Sequence, residues 1–180
     1  KLHGMDLPTN VYPLFAQALR REEKKTAATH LDECSALFSE FSKIASKNPY
    51  SWFPSYRSAT EIAEETSNNR MVGFPYTKYL NSVIRVNMAS AFILMSQAKA
   101  DELSVAESKR VYVHGCSILN DIWNVTERPD FHTSPAIKTC VNQSLDQAEI
   151  SLSDIKHFDL YSCFPSAVQI AKKELGIPEE

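Results

Sequence analysis

Three reactive side chains follow one another at a point where the sequence changes from strand to helix. Tyr161, Ser162 and Cys163 come after Phe158-Asp-Leu, which fits a short strand, and before a helix predicted over 164–175. In open α/β sheets, ligands bind at the carboxyl ends of strands, where strand ends and helix N-termini leave backbone groups unpaired. A purely structural turn usually carries Gly, Asn or Asp. A phenol, a hydroxyl and a thiol at this position therefore predict a catalytic or binding site.

The thiols of the chain allow two interpretations each. A helix N-terminus stabilises a thiolate, which would make Cys163 a nucleophile, but a first-turn cysteine that faces the core fits the same position. His114 and Cys116 end a predicted strand and could pair as base and nucleophile. We favour a structural thiol for Cys116. Cys34 lies on the apolar stripe of a predicted helix, so we assign it to the core.

Metal and nucleotide motifs are absent from the sequence. No CxxC, HxxxH or HExxH spacing occurs, so we predict no metal site. With four glycines, the chain carries neither a Walker loop nor a GxGxxG fingerprint. The histidines are scattered: His3, His30, His114, His132 and His157.

Composition excludes two classes of partner. The 180 residues carry a formal net charge of −3, which argues against a nucleic-acid binder that works through bulk charge. The longest apolar run, 88–95, is too short to span a membrane. Four widely spaced cysteines are typical of reduced thiols, which predicts a cytoplasmic protein. Neither Lys1 nor Glu180 looks like the end of a finished domain, so we expect a fragment.

The first part of the chain, up to about residue 76, is predicted to be helical and rich in loops. Thr9 or Asn10 is expected to cap the first helix, with Pro13 in its first turn. A second helix is predicted over 29–46, and Ser58 caps a short third one in capping-box spacing.

The second part is predicted to be α/β. Residues 82–96 fit either a half-buried strand that ends in an apolar core strand, or a helix over 86–95. A strand is predicted over 110–118, a helix that starts at Ser134, a second strand over 158–161, and a final helix closed by Gly176. This order is a βαβα unit, which implies a parallel strand pair with a right-handed crossover.

These segments resemble the thiolase family, and most closely its sterol-carrier-protein-type branch. The run Tyr161-Ser-Cys-Phe-Pro-Ser-Ala-Val-Gln is similar to the His-Asp-Cys-Phe motif that opens the same helix there. Two upstream runs, which begin at Asn69-Arg-Met-Val-Gly-Phe-Pro-Tyr and Arg85-Val-Asn-Met-Ala-Ser-Ala, resemble the segment that leads into the last strand of the family's N-terminal half. The similarity covers nearly the whole chain in the family's order.

The resemblance implies an α/β thiolase-like fold and a division of the chain. Residues 1–80 would form the helical loop domain that binds CoA, residues 81–104 the last strand of the N-terminal half, and residues 105–180 the start of the C-terminal half. It also implies an acyl-CoA acyltransferase of lipid metabolism, of the acetyl-CoA acetyltransferase type.

Particular ligand and partner contacts follow from the same resemblance. Lys78, Asn81 and Ser82 lie in the segment that would meet the phosphates or pantetheine amides of CoA or acyl-CoA. A homo-oligomer would form through the returning strand near 84–95.

The sequence departs from the family where catalysis is concerned. The family's nucleophilic cysteine precedes the loop domain, and its Gly-His-Pro and Cys-x-Gly elements follow the last helix; none of these is present here. Tyr161 replaces the His or Asn that anchors an oxyanion-hole water, and Ser162 replaces the acid. We expect no thiolase turnover from these 180 residues.

Three hypotheses on the function and two on the position of the Tyr161 side chain stay open. The alternatives to an acyltransferase are a non-catalytic CoA-binding or partner-binding protein and an unrelated α/β domain with structural thiols. The Tyr161 hydroxyl either points into a cleft at the strand end or lies at the surface while its ring packs under the following helix.

Overall fold

A computed structural model describes residues 4–178, so His3 and the outermost residues of both termini lie outside the described part. Helices dominate, and a short antiparallel pair of strands lies between them. The elements in chain order are α1 (Pro8–Glu22), α2 (Ala27–Ala45), α3 (Ala59–Ala63), β1 (Met71–Gly73), β2 (Tyr76–Thr77), α4 (Gln97–Glu102), α5 (Pro135–Ala148) and α6 (Pro165–Leu175).

Helix α1 starts earlier than its predicted caps at Thr9 and Asn10, so Pro13 lies inside the helix and not in its first turn. Proline has no N–H, and the carbonyl of Thr9 therefore loses its intrahelical donor. Gly73 of β1 lies against this carbonyl, and a Cβ at Gly73 would be 2.7 Å from the Thr9 oxygen. The absence of a side chain at Gly73 lets β1 approach α1 closely.

The next two helices begin at hydroxyl caps. The Thr26 side chain accepts a hydrogen bond from the backbone N–H of Thr29, so α2 starts two residues before the predicted boundary. Ser58 caps α3 as predicted, and its Oγ accepts from the N–H of Glu61 at 3.1 Å. These caps satisfy backbone donors that the helix itself leaves free.

A buried asparagine joins α3 to the strand pair. The amide nitrogen of Asn69 donates to three carbonyls at the end of α3, those of Glu61, Ile62 and Glu64, at 3.2, 2.9 and 2.8 Å. Its Oδ1 accepts from the N–H of Tyr79 at 2.9 Å. One side chain thus holds together two segments that share no strand ladder.

The core forms around the start of α6, which packs against α1, α2 and α5. Phe164, the residue before α6, is buried and stacks on Tyr12 with ring centroids 4.3 Å apart. The Tyr76 hydroxyl accepts a hydrogen bond from the N–H of Ser166 at 3.2 Å. The buried core cluster consists of Ala16, Cys34, Ile62, Tyr76, Leu80, Cys163 and Phe164.

The parallel strand pair predicted from the sequence is not formed among residues 4–178. The segments 110–118 and 158–161 have no regular secondary structure, and 86–95 forms neither of its two predicted alternatives. Strands exist only when a neighbour completes their hydrogen bonds, and here the apolar side chains of these segments face solvent. Phe92 is 88% exposed and Val111 is 92% exposed.

The last two helices start and end as predicted, with one difference. Pro135 opens α5 and Gly176 ends α6 in the left-handed conformation at a φ of 66°. Ser134 does not cap α5 with its side chain, because its hydroxyl donates to Asp121. Within the described range, no helix combines the length and the apolar character that crossing a membrane requires.

Candidate functional site

The turn before α6 places its three reactive side chains in different environments. Tyr161 is 74% exposed, Ser162 is exposed, and Cys163 is buried beside Phe164. Pro165 opens α6. The two residues just before it, Cys163 and Phe164, are buried in the core, whereas Tyr161 and Ser162 lie outside it. The thiol is therefore shielded while the two hydroxyl groups meet solvent.

Two phenols lie beside the Cys163 thiol, and we name this group the Tyr–Cys cluster (Tyr12, Tyr161 and Cys163). Burial, together with hydrogen bonding to the Cys163 side chain, raises the pKa of Tyr12. Hydrogen bonding to the same side chain raises the pKa of Tyr161. Both phenols are thus protonated at neutral pH and serve as hydrogen-bond donors.

The segment predicted to bind CoA lies against this turn. The N–H of Ser82 donates to the carbonyl of Cys163 at 3.2 Å. Asn81 donates from its amide to the carbonyl of Thr77 at 2.6 Å, while its Oδ1 is buried without a partner in the described part of the chain. Lys78 is exposed. The structure thus brings Asn81 and Ser82 close to the predicted catalytic turn and leaves the Lys78 side chain at the surface.

A cavity of about 560 Å³ opens beside Tyr161. Its walls come from α1, the loop before α5, the turn before α6 and α6 itself. Tyr12 and Phe15 form the α1 side, with ring centroids 5.8 Å apart. Most of the lining is apolar, which is the character of a small-molecule site. Tyr161 therefore borders a cavity and is also open to solvent, and the direction of its hydroxyl stays a prediction.

The end of the cavity beyond Phe15 is polar. The Arg128 guanidinium lies 5.4 Å from the Phe15 ring centroid. Its Nη2 donates to the carbonyl of Thr133 at 2.9 Å and lies 3.6 Å from the Asp121 carboxylate. Asp121 also accepts the hydroxyl hydrogen of Ser134. The sequence analysis missed α1, Asp121 and Arg128 as parts of the site, because no local motif signals these long-range contacts.

A histidine and two carboxylates meet at the start of α2, although their spacing predicts no metal site. Ligand atoms of Glu23, His30 and Glu33 lie within 4.8 Å of one another. The Lys25 ammonium lies 2.9 Å from Glu23 and 2.7 Å from Glu33. Desolvation lowers the pKa of Lys25, but hydrogen bonds to the two carboxylates raise it by more, so the pKa lies above its ordinary value. A lysine cation thus already balances this acidic pair, and the absence of a metal site stays a prediction.

The buried Cys–His pair on α2 is not a nucleophilic dyad. His30 Nε2 lies 3.6 Å from Cys34 Sγ, and both residues are fully buried. Burial lowers the pKa of His30 and raises that of the Cys34 thiol to about 12. Both groups are neutral at pH 7, which agrees with the core assignment of Cys34. His114 and Cys116, the other pair considered from the sequence, are both exposed.

Comparison with known proteins places this arrangement in a larger fold. No protein-family model matches the chain, and no curated protein matches it either. The chain is similar to the crystal structure of a monomeric SCP2-thiolase like protein type 1 from Mycobacterium smegmatis, with 33% sequence identity and a TM-score of 0.85. The match covers 97% of this chain and 38% of that structure. The predicted α/β thiolase-like fold of the sterol-carrier-protein type is thereby confirmed.

Proposed function

Because the chain has a sterol-carrier-protein-type thiolase-like fold, we propose that it binds acyl-CoA as part of an acyltransferase of lipid metabolism. The parent reaction would be condensation or thiolysis of a 3-oxoacyl-CoA, as in acetyl-CoA acetyltransferases. Residues 1–180 contain neither the family's nucleophilic cysteine nor its Gly-His-Pro and Cys-x-Gly elements, which this chemistry requires. The proposed role of this chain is therefore to bind and orient the thioester.

The hydrogen bond from Ser82 to Cys163 carries this proposal. It joins the segment assigned to CoA to the turn that borders the apolar cavity. A ligand with a polar, phosphorylated part near Ser82 and an apolar part in the cavity would pass beside the Tyr161 hydroxyl. This is the shape of an acyl-CoA, in which a polar carrier and an apolar chain meet at a thioester.

Tyr161 and Tyr12 would meet the thioester as donors. A phenol keeps its hydroxyl hydrogen at neutral pH even at the ordinary tyrosine pKa of about 10, and the surroundings of both residues raise this pKa further. A protonated phenol can donate to a carbonyl oxygen and stabilise negative charge on it, but it cannot attack the carbonyl carbon. The cluster therefore orients and polarises an acyl group and supplies no covalent step.

A non-catalytic CoA-binding or partner-binding protein is the second candidate. It is favoured by Tyr161 and Ser162, which stand where the sterol-carrier-protein-type motif has His and Asp. The longer coding sequence separates the two candidates. A cysteine upstream, with Gly-His-Pro and Cys-x-Gly downstream, would favour the acyltransferase.

The binding proposal is tested by calorimetry with decanoyl-CoA on the 180-residue protein. We expect the double variant Lys78→Ala/Ser82→Ala to bind at least fivefold more weakly, because it loses a phosphate partner and a polar contact. The matched control is Lys47→Ala, an exposed lysine beyond α2. Equal affinities of the double variant and the wild type would remove both residues from the site.

A turnover assay complements the binding measurement. With acetoacetyl-CoA and CoA, we expect no thiolysis by the 180-residue protein. Activity that survives repurification and disappears in Cys163→Ala would make Cys163 the nucleophile and overturn the binding-only role of this chain.

A further inference from the structure

Two buried polar groups in the wall of the apolar cavity have no hydrogen-bond partner among residues 4–178. Arg128 Nε is buried and has no acceptor among residues 4–178. Ser166 is fully buried, and its Oγ likewise has no partner in that range. Both residues line the cavity. A buried donor without an acceptor is destabilising, so a ligand that supplies an oxygen atom to each group would stabilise the protein.

An aromatic wall connects the Tyr–Cys cluster to Arg128. Ser166 is three residues after Cys163 and is therefore close to the Tyr161–Cys163 turn. The ring centroids of Phe15 and of Tyr12, a member of the cluster, lie 5.8 Å apart. The Arg128 guanidinium carbon lies 5.4 Å from the Phe15 centroid. Arg128 therefore marks the distal end, as measured from the turn that would hold the thioester.

The charges at the distal end select a neutral oxygen. The Asp121 carboxylate, 3.6 Å from Arg128 Nη2, already compensates the guanidinium. A second carboxylate brought beside Asp121 would be desolvated without a cation of its own. A keto or hydroxyl oxygen accepts from Nε–H without that cost.

We infer that the cavity is specific for an acyl group with an apolar body and a keto or hydroxyl oxygen at its distal end, held by Arg128 Nε–H. This specificity rests on the proposed binding of acyl-CoA. Arg128 thereby becomes a specificity-determining residue that the motif around Tyr161 does not include.

The test compares three CoA esters of equal chain length by calorimetry: decanoyl-CoA, 9-oxodecanoyl-CoA and the ester that ends in a carboxylate, 9-carboxynonanoyl-CoA. We expect the oxo ester to bind the wild type about tenfold more tightly than decanoyl-CoA, as one hydrogen bond to a charged donor provides. The carboxylate ester should bind more weakly than the oxo ester.

The variant Arg128→Lys keeps a cation beside Asp121 but lacks Nε–H. We expect it to lose the preference for the oxo ester over decanoyl-CoA, while the control Arg21→Lys keeps that preference. Should Arg128→Lys not fold, the ratio of affinities in the wild type decides alone. Equal affinity for the oxo and plain esters would overturn the specificity, whereas no binding of any ester would overturn the proposed function as well.

Discussion

At the scale of single residues, Asn69 shows how one buried side chain can replace regular structure. We expect Asn69→Ala to lower the free energy of unfolding by about 2–4 kcal/mol, because the carbonyls of Glu61 and Glu64 and the N–H of Tyr79 lose their bonds to Asn69, while the Ile62 carbonyl keeps the Thr77 hydroxyl. Urea unfolding measures the change. The exposed neighbour Asn68 is the control, and Asn68→Ala should stay within about 0.5 kcal/mol of the wild type. Similar losses for both variants would contradict this role of Asn69.

His30 gives the protein a predictable response to acid. Burial lowers the pKa of His30; Glu33 and Glu23 raise it in part, while Lys25 and Arg20 lower it. The unfolded chain takes up a proton near the ordinary value of about 6.5, whereas the native state keeps the ring neutral. Stability is therefore fully present above that pH and falls below it, by up to about 1.4 kcal/mol per pH unit.

The measurement is the free energy of unfolding between pH 7.5 and pH 5. His30→Gln cannot titrate, so we expect a flatter profile than that of the wild type even where the variant is less stable overall. His157 is exposed, and His157→Gln should keep the wild-type slope. A wild-type profile that is flat between pH 7 and pH 5 would refute the assignment.

At the scale of elements, residues 115–117 are attached to α5 although they form no strand. A Cβ at Gly115 would lie 2.0 Å from the carbonyl oxygen of Ser144. The N–H of Cys116 donates to the Gln147 side chain at 3.1 Å, and Ser117 donates to Gln143 at 2.5 Å. Close backbone contact and two side-chain bonds thus replace a β-ladder.

We expect Gly115→Ala to detach this segment from α5, because the new methyl group meets backbone that cannot move aside without distorting the helix. Limited proteolysis should then cut within 110–123 at least tenfold faster than in the wild type. Ser117→Ala removes one hydrogen bond and no space, so its cleavage rate should change by less than threefold. Unchanged cleavage of Gly115→Ala would show that the contact is not required.

Local signals predict the helix ends at Ser58 and Gly176 correctly, but they misplace the cap of α1 and predict strand pairing poorly. The hydroxyl of Ser58 and the left-handed Gly176 act within a few residues of the helix they terminate, so the sequence alone identifies them. Pairing of 110–118 with 158–161 depends on neighbours far along the chain, and a strand pattern carries no information about them. The turn at Tyr161 was identified for the same local reason, while Arg128 was missed because three segments bring it to the cavity.

At the scale of the whole molecule, the apolar segments 84–95 and 110–123 remain largely exposed. Contiguous apolar surface of this kind marks a surface that another chain or segment covers. The similar mycobacterial protein is described as monomeric, and this chain spans 38% of its length.

Self-association of the 180-residue protein through 84–95 is the consequence we expect. Phe92, Ile93 and Leu94 are 88%, 83% and 80% exposed, and backbone groups without a ladder are available for pairing with a second copy. Sedimentation velocity should show reversible association that increases with concentration. Phe92→Asp/Leu94→Asp should abolish it with no change in helix content, since neither side chain is buried. The control Val111→Asp/Val113→Asp places the same charges on the other exposed segment and should leave the association intact. If both double variants are monomeric, or if the wild type is monomeric at every concentration, the interface does not lie at 84–95.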